Sequence, residues 1–151
     1  MTEINYQKVL VATDGSKAAS VAADHAIAIA RAFQATLTVV AVVDSYVFMM
    51  DPQVAGSAME ILEGERVFLR QAVEEIATRA REANVPHVEA KVIEGFPRTT
   101  LVELISESHA DLVVIGSHGR NAIQRLLIGS TSEHLIRRAP CPVLVIRSKA
   151  S

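Results

Sequence analysis

Two glycine-bearing segments hold the residues best suited to chemistry. Gly116-Ser117-His118-Gly119-Arg120 follows an apolar run, and Gly129-Ser130-Thr131 follows Gly119 after nine intervening residues. Glycine lets backbone N–H groups approach an anion closely and adopt positive φ. Ser130 and Thr131 open a helical pattern, and a helix N-terminus offers orphan N–H groups and the positive end of its dipole. Two such donor clusters could cradle a polyphosphate, with Arg120 and Arg125 adding charge. The same residues also admit a purely structural role. Gly116 and Gly119 could simply turn the chain, and Ser130-Thr131-Ser132-Glu133 fits a capping box in which Glu133 takes the Ser130 N–H. His118 could contact phosphate or be merely solvated; an ordinary imidazole is mostly neutral at pH 7.

A second candidate is Thr13-Asp14-Gly15-Ser16, which ends an earlier apolar run, and a third is Asp44-Ser45. Asp14 and Ser16 both suit a helix cap. Asp14 could equally accept hydrogen bonds from a ribose or an adenine amino group. Familiar nucleotide and hydrolase motifs are missing: there is no Gly-x-x-x-x-Gly-Lys-Ser/Thr, no Gly-x-Gly-x-x-Gly after the first apolar run and no Gly-x-Ser-x-Gly. His25, His87, His109 and His134 lie far apart in sequence without zinc-ligand spacing. Mg²⁺ could arrive with a nucleotide, and Asp44 is the nearest candidate carboxylate for it. Cys141, between Pro140 and Pro142, reads as a small buried or half-buried hydrophobe rather than a redox thiol.

These segments need elements to position them. Short apolar runs at Val9–Ala12, Leu37–Val43, Val88–Ile93, Leu112–Ile115 and Val143–Ile146 read as five strands. Between them lie helical spacings: Ala22, Ala26, Ile29, Ala30 and Phe33; then Leu69, Val73, Ile76, Ala80 and Ala83 in a helix starting near Ser57 to Glu60; then Leu101, Leu104 and Ile105 after Pro97; then Ser130–Arg138. Continuous Val/Ile/Leu strands alternating with helices indicate a parallel sheet covered on both faces. The chain is therefore read as one α/β domain over residues 1–151, a doubly wound five-stranded sheet. Ligands of such sheets bind beyond the carboxyl ends of the strands, where strand order reverses. Val88–Val92 alternates as a strand with a wetter face does. Val143–Ile146, the last strand, would leave an unpaired backbone if it lay at an edge, and a second copy could cover it; the alternative is an internal strand.

Composition narrows the class. The 151 residues are 50% hydrophobic and 21% charged, as in ordinary globular domains. Aromatics are 4% with no Trp, and the net charge is −2, which argues against a nucleic-acid or membrane binder. The first half, to residue 75, has ten Asp/Glu against five Lys/Arg; the second has seven against ten, so an anionic ligand is expected there. With one cysteine, an apolar run far too short to span a bilayer and a polar start, the expectation is a soluble protein of a reducing cytoplasm.

Thr13-Asp14-x-Ser16, Val42-Val43-Asp44, Gly116-x-x-Gly119-x(9)-Gly129-Ser130-Thr131 and the ending Ala139-Pro140-Cys141-Pro142-Val143-Leu144-Val145-Ile146 together resemble the universal stress protein family, over Lys8 to Arg147. The glycine spacing resembles the signature of its ATP-binding branch. The resemblance implies strand order 3-2-1-4-5, which sets Asp14 and Gly116 beside one crevice and the last strand at an edge where members commonly dimerise. It implies that Asp14 and the backbone of Val42 hold the adenine end, and that Gly116, Gly119, Gly129, Ser130 and Thr131 bind ribose and phosphates. Thr13, Ser117, His118 and Arg120 belong to the same candidate site. Ala41 and Ala12 depart from the His and Pro common in the family, with no evident effect on ligand chemistry.

The expected function is an ATP-binding (or AMP- or ADP-binding) regulatory module, a homodimer through Val143–Ile146, acting on a protein partner that the sequence does not name. The nucleotide would work as a ligand rather than a fuel, since no Walker lysine, general base or strong Mg²⁺ carboxylate is evident. Two rivals stand beside it: a slow ATPase or nucleotide-handling enzyme of the same superfamily, and a dimeric interaction module holding no nucleotide. The apolar run Tyr46–Met50 is expected to fold over the core, or else to act as a lid or partner-facing patch.

Overall fold

The computed structural model describes residues 2–45, 55–120 and 128–147. Tyr46–Met50 and Arg125 lie outside them. Five strands, β1 (Lys8–Ala12), β2 (Thr36–Asp44), β3 (His87–Gly95), β4 (Leu112–Gly116) and β5 (Val143–Ile146), form one all-parallel sheet in the order β3-β2-β1-β4-β5. Four helices connect them: α1 (Lys17–Phe33), α2 (Ala55–Glu82), α3 (Pro97–Ser108) and α4 (Ser130–Arg138). The doubly wound sheet and its order are as expected, and β5 is an edge strand, not an internal one. Helix α2 begins at Ala55, ahead of the expected Ser57 to Glu60. Its first turns carry few apolar core residues, so periodicity is visible only further along.

Alternate strand residues feed two cores. Val9, Val11, Leu37, Val39, Leu112 and Val114 face α1 and α2, which contribute Ala22, Ala26, Leu69 and Val73. Leu10, Val40, Val113 and Ile115 face the other layer, with Leu101 and Ile105 of α3 and Leu135 of α4. This is the period of two expected of strands covered on both faces. Ala22, Ala23, Ala26 and Ala30 of α1 are fully buried. Having no side chain beyond Cβ, they lose no rotamer freedom on burial.

At the amino ends of the strands, the Asp111 carboxylate accepts from the Gln7 and Lys8 N–H groups at 2.9 and 3.1 Å, tying β4 to β1. At the opposite ends, β1 lies between β2 and β4, and the order of strands reverses there. Among the described residues, no helix is long and apolar enough to cross a membrane.

Candidate functional site

The carboxyl ends of β1 and β4 open into a cavity of about 470 Å³, within the range of small-molecule sites. Its floor is built by the first turn after β1. The Thr13 N–H bonds the Val40 carbonyl at 2.8 Å, and Thr13 Oγ1 accepts from the Gly15 N–H at 3.1 Å. Gly15 has φ +83°, a conformation that disfavours side chains, and a Cβ there would also strike the Phe68 ring at 2.5 Å. Ser16 then caps α1, its side chain accepting from the Ala19 N–H at 3.1 Å. Asp14 is therefore not the cap. Its Oδ1 accepts from the Ser16 N–H at 3.0 Å, while Oδ2 accepts from the Arg120 N–H at 2.7 Å.

The loop after β4 forms the second wall. Gly116 passes so close to α1 that a Cβ would lie 3.2 Å from the Ala18 carbonyl. The Gly116 carbonyl accepts from the buried Ser132 Oγ at 2.7 Å. Ser117 is tied into the sheet: its N–H bonds the Ile146 carbonyl at 2.8 Å, and its own carbonyl accepts from the Gly129 N–H. That last bond brings the start of α4 back beside the end of β4. A Cβ on Gly119 would sit 2.5 Å from Asp14 Oδ2. The Arg120 guanidinium reaches across to the Glu65 carboxylate of α2 and lies 4.7 Å from the centroid of the Phe68 ring.

The start of α4 departs from expectation. Gly129, not Ser130, is the N-cap, and no side chain caps the helix. Glu133 pairs instead with Arg137 at 2.8 Å. The capping box is thus corrected: Ser130 is already helical, so its side chain cannot stand where a cap does. No capping side chain competes for the first-turn N–H groups, and the positive dipole end faces the cavity.

Ten of the eleven expected site residues line this cavity. Thr13 and Asp14 come from the turn after β1, Val42 from β2, Gly116 from the end of β4, and His118, Gly119 and Arg120 from the loop after it; Gly129, Ser130 and Thr131 open α4. Ser117 does not line it; it is 2% exposed, and its Oγ lies 3.0 Å from His118 Nδ1. Asp44, Glu65 and Ser132 line the cavity as well, and Val40, Pro97, Leu101 and Ile115 supply an apolar side. Glu65 and Phe68 were not among the sequence candidates. Nothing in a long, highly charged helix distinguishes one Glu until the helix is docked. The expected bias toward the positive half also dissolves on folding, since Asp14, Asp44 and Glu65 of the first half border the same space as Arg120.

Among the described residues, no cluster of three or more His, Cys, Asp or Glu could hold a metal ion. Cys141 is half-buried, and burial together with Asp111 pushes its thiol pKa up, away from the reactive thiolate.

Residues 5–147 match the model of the universal stress protein family. The chain belongs to the universal stress protein family. A universal stress protein of Methanocaldococcus jannaschii is 36% identical over 142 residues, covering 94% of this chain and 82% of the relative. Universal stress protein UspA from Lactobacillus plantarum superposes with a TM-score of 0.89 at 30% identity, over 96% of this chain and all of that one. A universal stress protein crystallised in complex with cAMP superposes with a TM-score of 0.70, also at 30% identity, over 97% of this chain and all of that one. The five-stranded order β3-β2-β1-β4-β5 is the fold of this family.

Proposed function

We propose that this universal stress protein binds an adenine nucleotide, ATP or its mono- or diphosphate, in the cavity at the ends of β1 and β4. The observation that carries the reading is the convergence of the glycine loop after β4 with the uncapped N-terminus of α4. The first turn of α4 keeps its backbone N–H donors and dipole end without a capping side chain, the arrangement in which proteins hold phosphates, and the loop brings Gly119 and Arg120 beside it. The apolar side formed by Val40, Val42, Leu101 and Ile115 suits a base. The relative crystallised with cAMP supports the same ligand class. Mg²⁺ would enter with the phosphates rather than through a protein site.

In this reading the nucleotide is a regulatory ligand of a cytoplasmic stress-response module. It shifts conformation or partner affinity by no more than its differential affinity for the two states. A second copy of the chain would cover the open edge of β5, a parallel strand paired only to β4. Light scattering would then give twice the chain mass of 16.3 kDa; the monomer mass would remove the dimer from the proposal.

The test is the nucleotide content of the purified protein, read by chromatography after denaturation, followed by calorimetric titration with ATP, ADP and AMP. Co-purified adenine nucleotide or micromolar affinity supports the site. A protein that ignores all three at millimolar concentration excludes it. One observation favours the rival reading, an interaction module without nucleotide: Gly119 is demanded by the Asp14 carboxylate alone, with no ligand needed to explain it.

A further inference from the structure

The side chain of Arg120 does not extend freely over the cavity. It is paired with Glu65, which also lines the cavity, and it packs over Phe68 one turn further along α2. Both members of the pair are about one-third exposed or less, at 36% and 26%, so the contact is partly shielded from water. The Phe68 ring in turn fills the space over Gly15, in the turn that carries Asp14. The Arg120 guanidinium therefore links the loop after β4 to α2, and the Phe68 ring links α2 to the turn after β1.

Resting on the nucleotide reading above, we infer that Glu65 is a specificity-determining residue that competes with the ligand's phosphates for Arg120. A ligand without phosphate leaves the Arg120–Glu65 pair intact. A polyphosphate that reaches Arg120 takes over the guanidinium, since phosphate suits its planar fork at least as well as carboxylate does. Glu65 then faces added negative charge at close range, and Phe68 loses the cation stacked on its ring. Both changes loosen the seat of α2. The first half of α2 thus registers how many phosphates the ligand carries, and Glu65 sets the threshold.

The experiment titrates the full chain and two variants, Glu65→Gln and Phe68→Leu, with ATP and with adenosine by calorimetry. Hydrogen exchange of residues 57–70 is followed under the same conditions. Glu65→Gln removes the competing charge, and Phe68→Leu weakens the hold on Arg120 by a separate route. Both are expected to raise the ratio of ATP affinity to adenosine affinity about fivefold. In the wild type, ATP but not adenosine speeds exchange in residues 57–70. If the wild type binds ATP but neither variant changes its ratio of ATP to adenosine affinity, or if both ligands affect α2 alike, Glu65 has no such role and the nucleotide site still stands. If neither ligand binds any of the three proteins, the nucleotide reading falls and this inference with it.

Discussion

Asp14 and Arg120 are 106 positions apart in the chain, yet Asp14 Oδ2 accepts a hydrogen bond from the Arg120 backbone N–H at 2.7 Å. The same carboxylate holds the Ser16 N–H through Oδ1. One side chain therefore sets the turn that opens α1 and fastens the loop after β4 to it. Asp14→Ala would leave both N–H groups without this partner and lower stability by about 2 kcal/mol. Nucleotide affinity should fall with it, because the two walls of the cavity are no longer joined. Chemical denaturation measures the first effect and calorimetry the second. An unchanged denaturation midpoint would show that the carboxylate does not hold the loop.

Gly119 answers to that carboxylate. Its absent Cβ would lie 2.5 Å from Asp14 Oδ2, so any larger residue must push the carboxylate or the loop aside. Gly119→Val is expected to cost about 1 kcal/mol by moving the Asp14 carboxylate off the Arg120 N–H. The double variant Gly119→Val with Asp14→Ala should lose less than the sum of the two single changes, since the clash disappears with the carboxylate. A strictly additive result in thermal denaturation would contradict this coupling.

Ser132 ties α4 to the end of β4. Its buried hydroxyl donates to the Gly116 carbonyl at 2.7 Å. Ser132→Ala removes that donor without creating a large void, at a loss of about 1–2 kcal/mol. The start of α4 should then exchange its amide hydrogens faster, while the distant β2–β3 pair is unaffected. Equal protection of α4 in variant and wild type would place the anchor elsewhere.

Leu135 is fully buried one turn further along the same face of α4, in the core shared with Leu101 and Ile105. Leu135→Ala should cost about 2–4 kcal/mol by leaving a cavity. Because Leu135 also sets the height of α4 against the sheet, the variant should bind nucleotide more weakly even at temperatures where it is fully folded. Circular dichroism and titration on the same sample separate the two effects.

Cys141 gives a pH signature. Its folded pKa is raised, by burial first and by the negative charge of Asp111 second. Between the ordinary thiol pKa and the raised value, the folded chain keeps a proton that the unfolded chain has released. Stability therefore falls as pH rises through that window, and is unaffected below it. Cys141→Ala should flatten the alkaline arm of stability against pH. Alkylation of the native thiol at pH 8 should be slower than that of the unfolded chain; equal rates would mean the thiol is not shielded.

Sequence alone determined the order of elements and the two-sided burial of the sheet. Val9–Ala12, Val39–Val43 and Leu112–Ile115 are continuous apolar runs, as strands covered on both faces require. It also determined the spacing Gly116, Gly119, Gly129, because glycine marks places where backbone must come close to something. What each glycine approaches was decided by the tertiary structure: Ala18 of α1 for Gly116, the Asp14 carboxylate for Gly119, the Ser117 carbonyl for Gly129. The capping box Ser130–Glu133 read plausibly from local pattern and was displaced, since the bond from the Gly129 N–H to the Ser117 carbonyl fixes where α4 begins. Glu65 and Phe68 could not be singled out at all. A helix position acquires a partner across the molecule only when packing sets the rotation of the helix, and α2 is set by Leu62, Leu69, Val73 and Ile76 buried against the sheet. Local propensity and periodicity are written residue by residue, whereas the contacts between Asp14, Arg120 and Glu65 exist only because parallel pairing brings β1 beside β4, while α2, packed against β2 and β3, carries Glu65 to the same cavity.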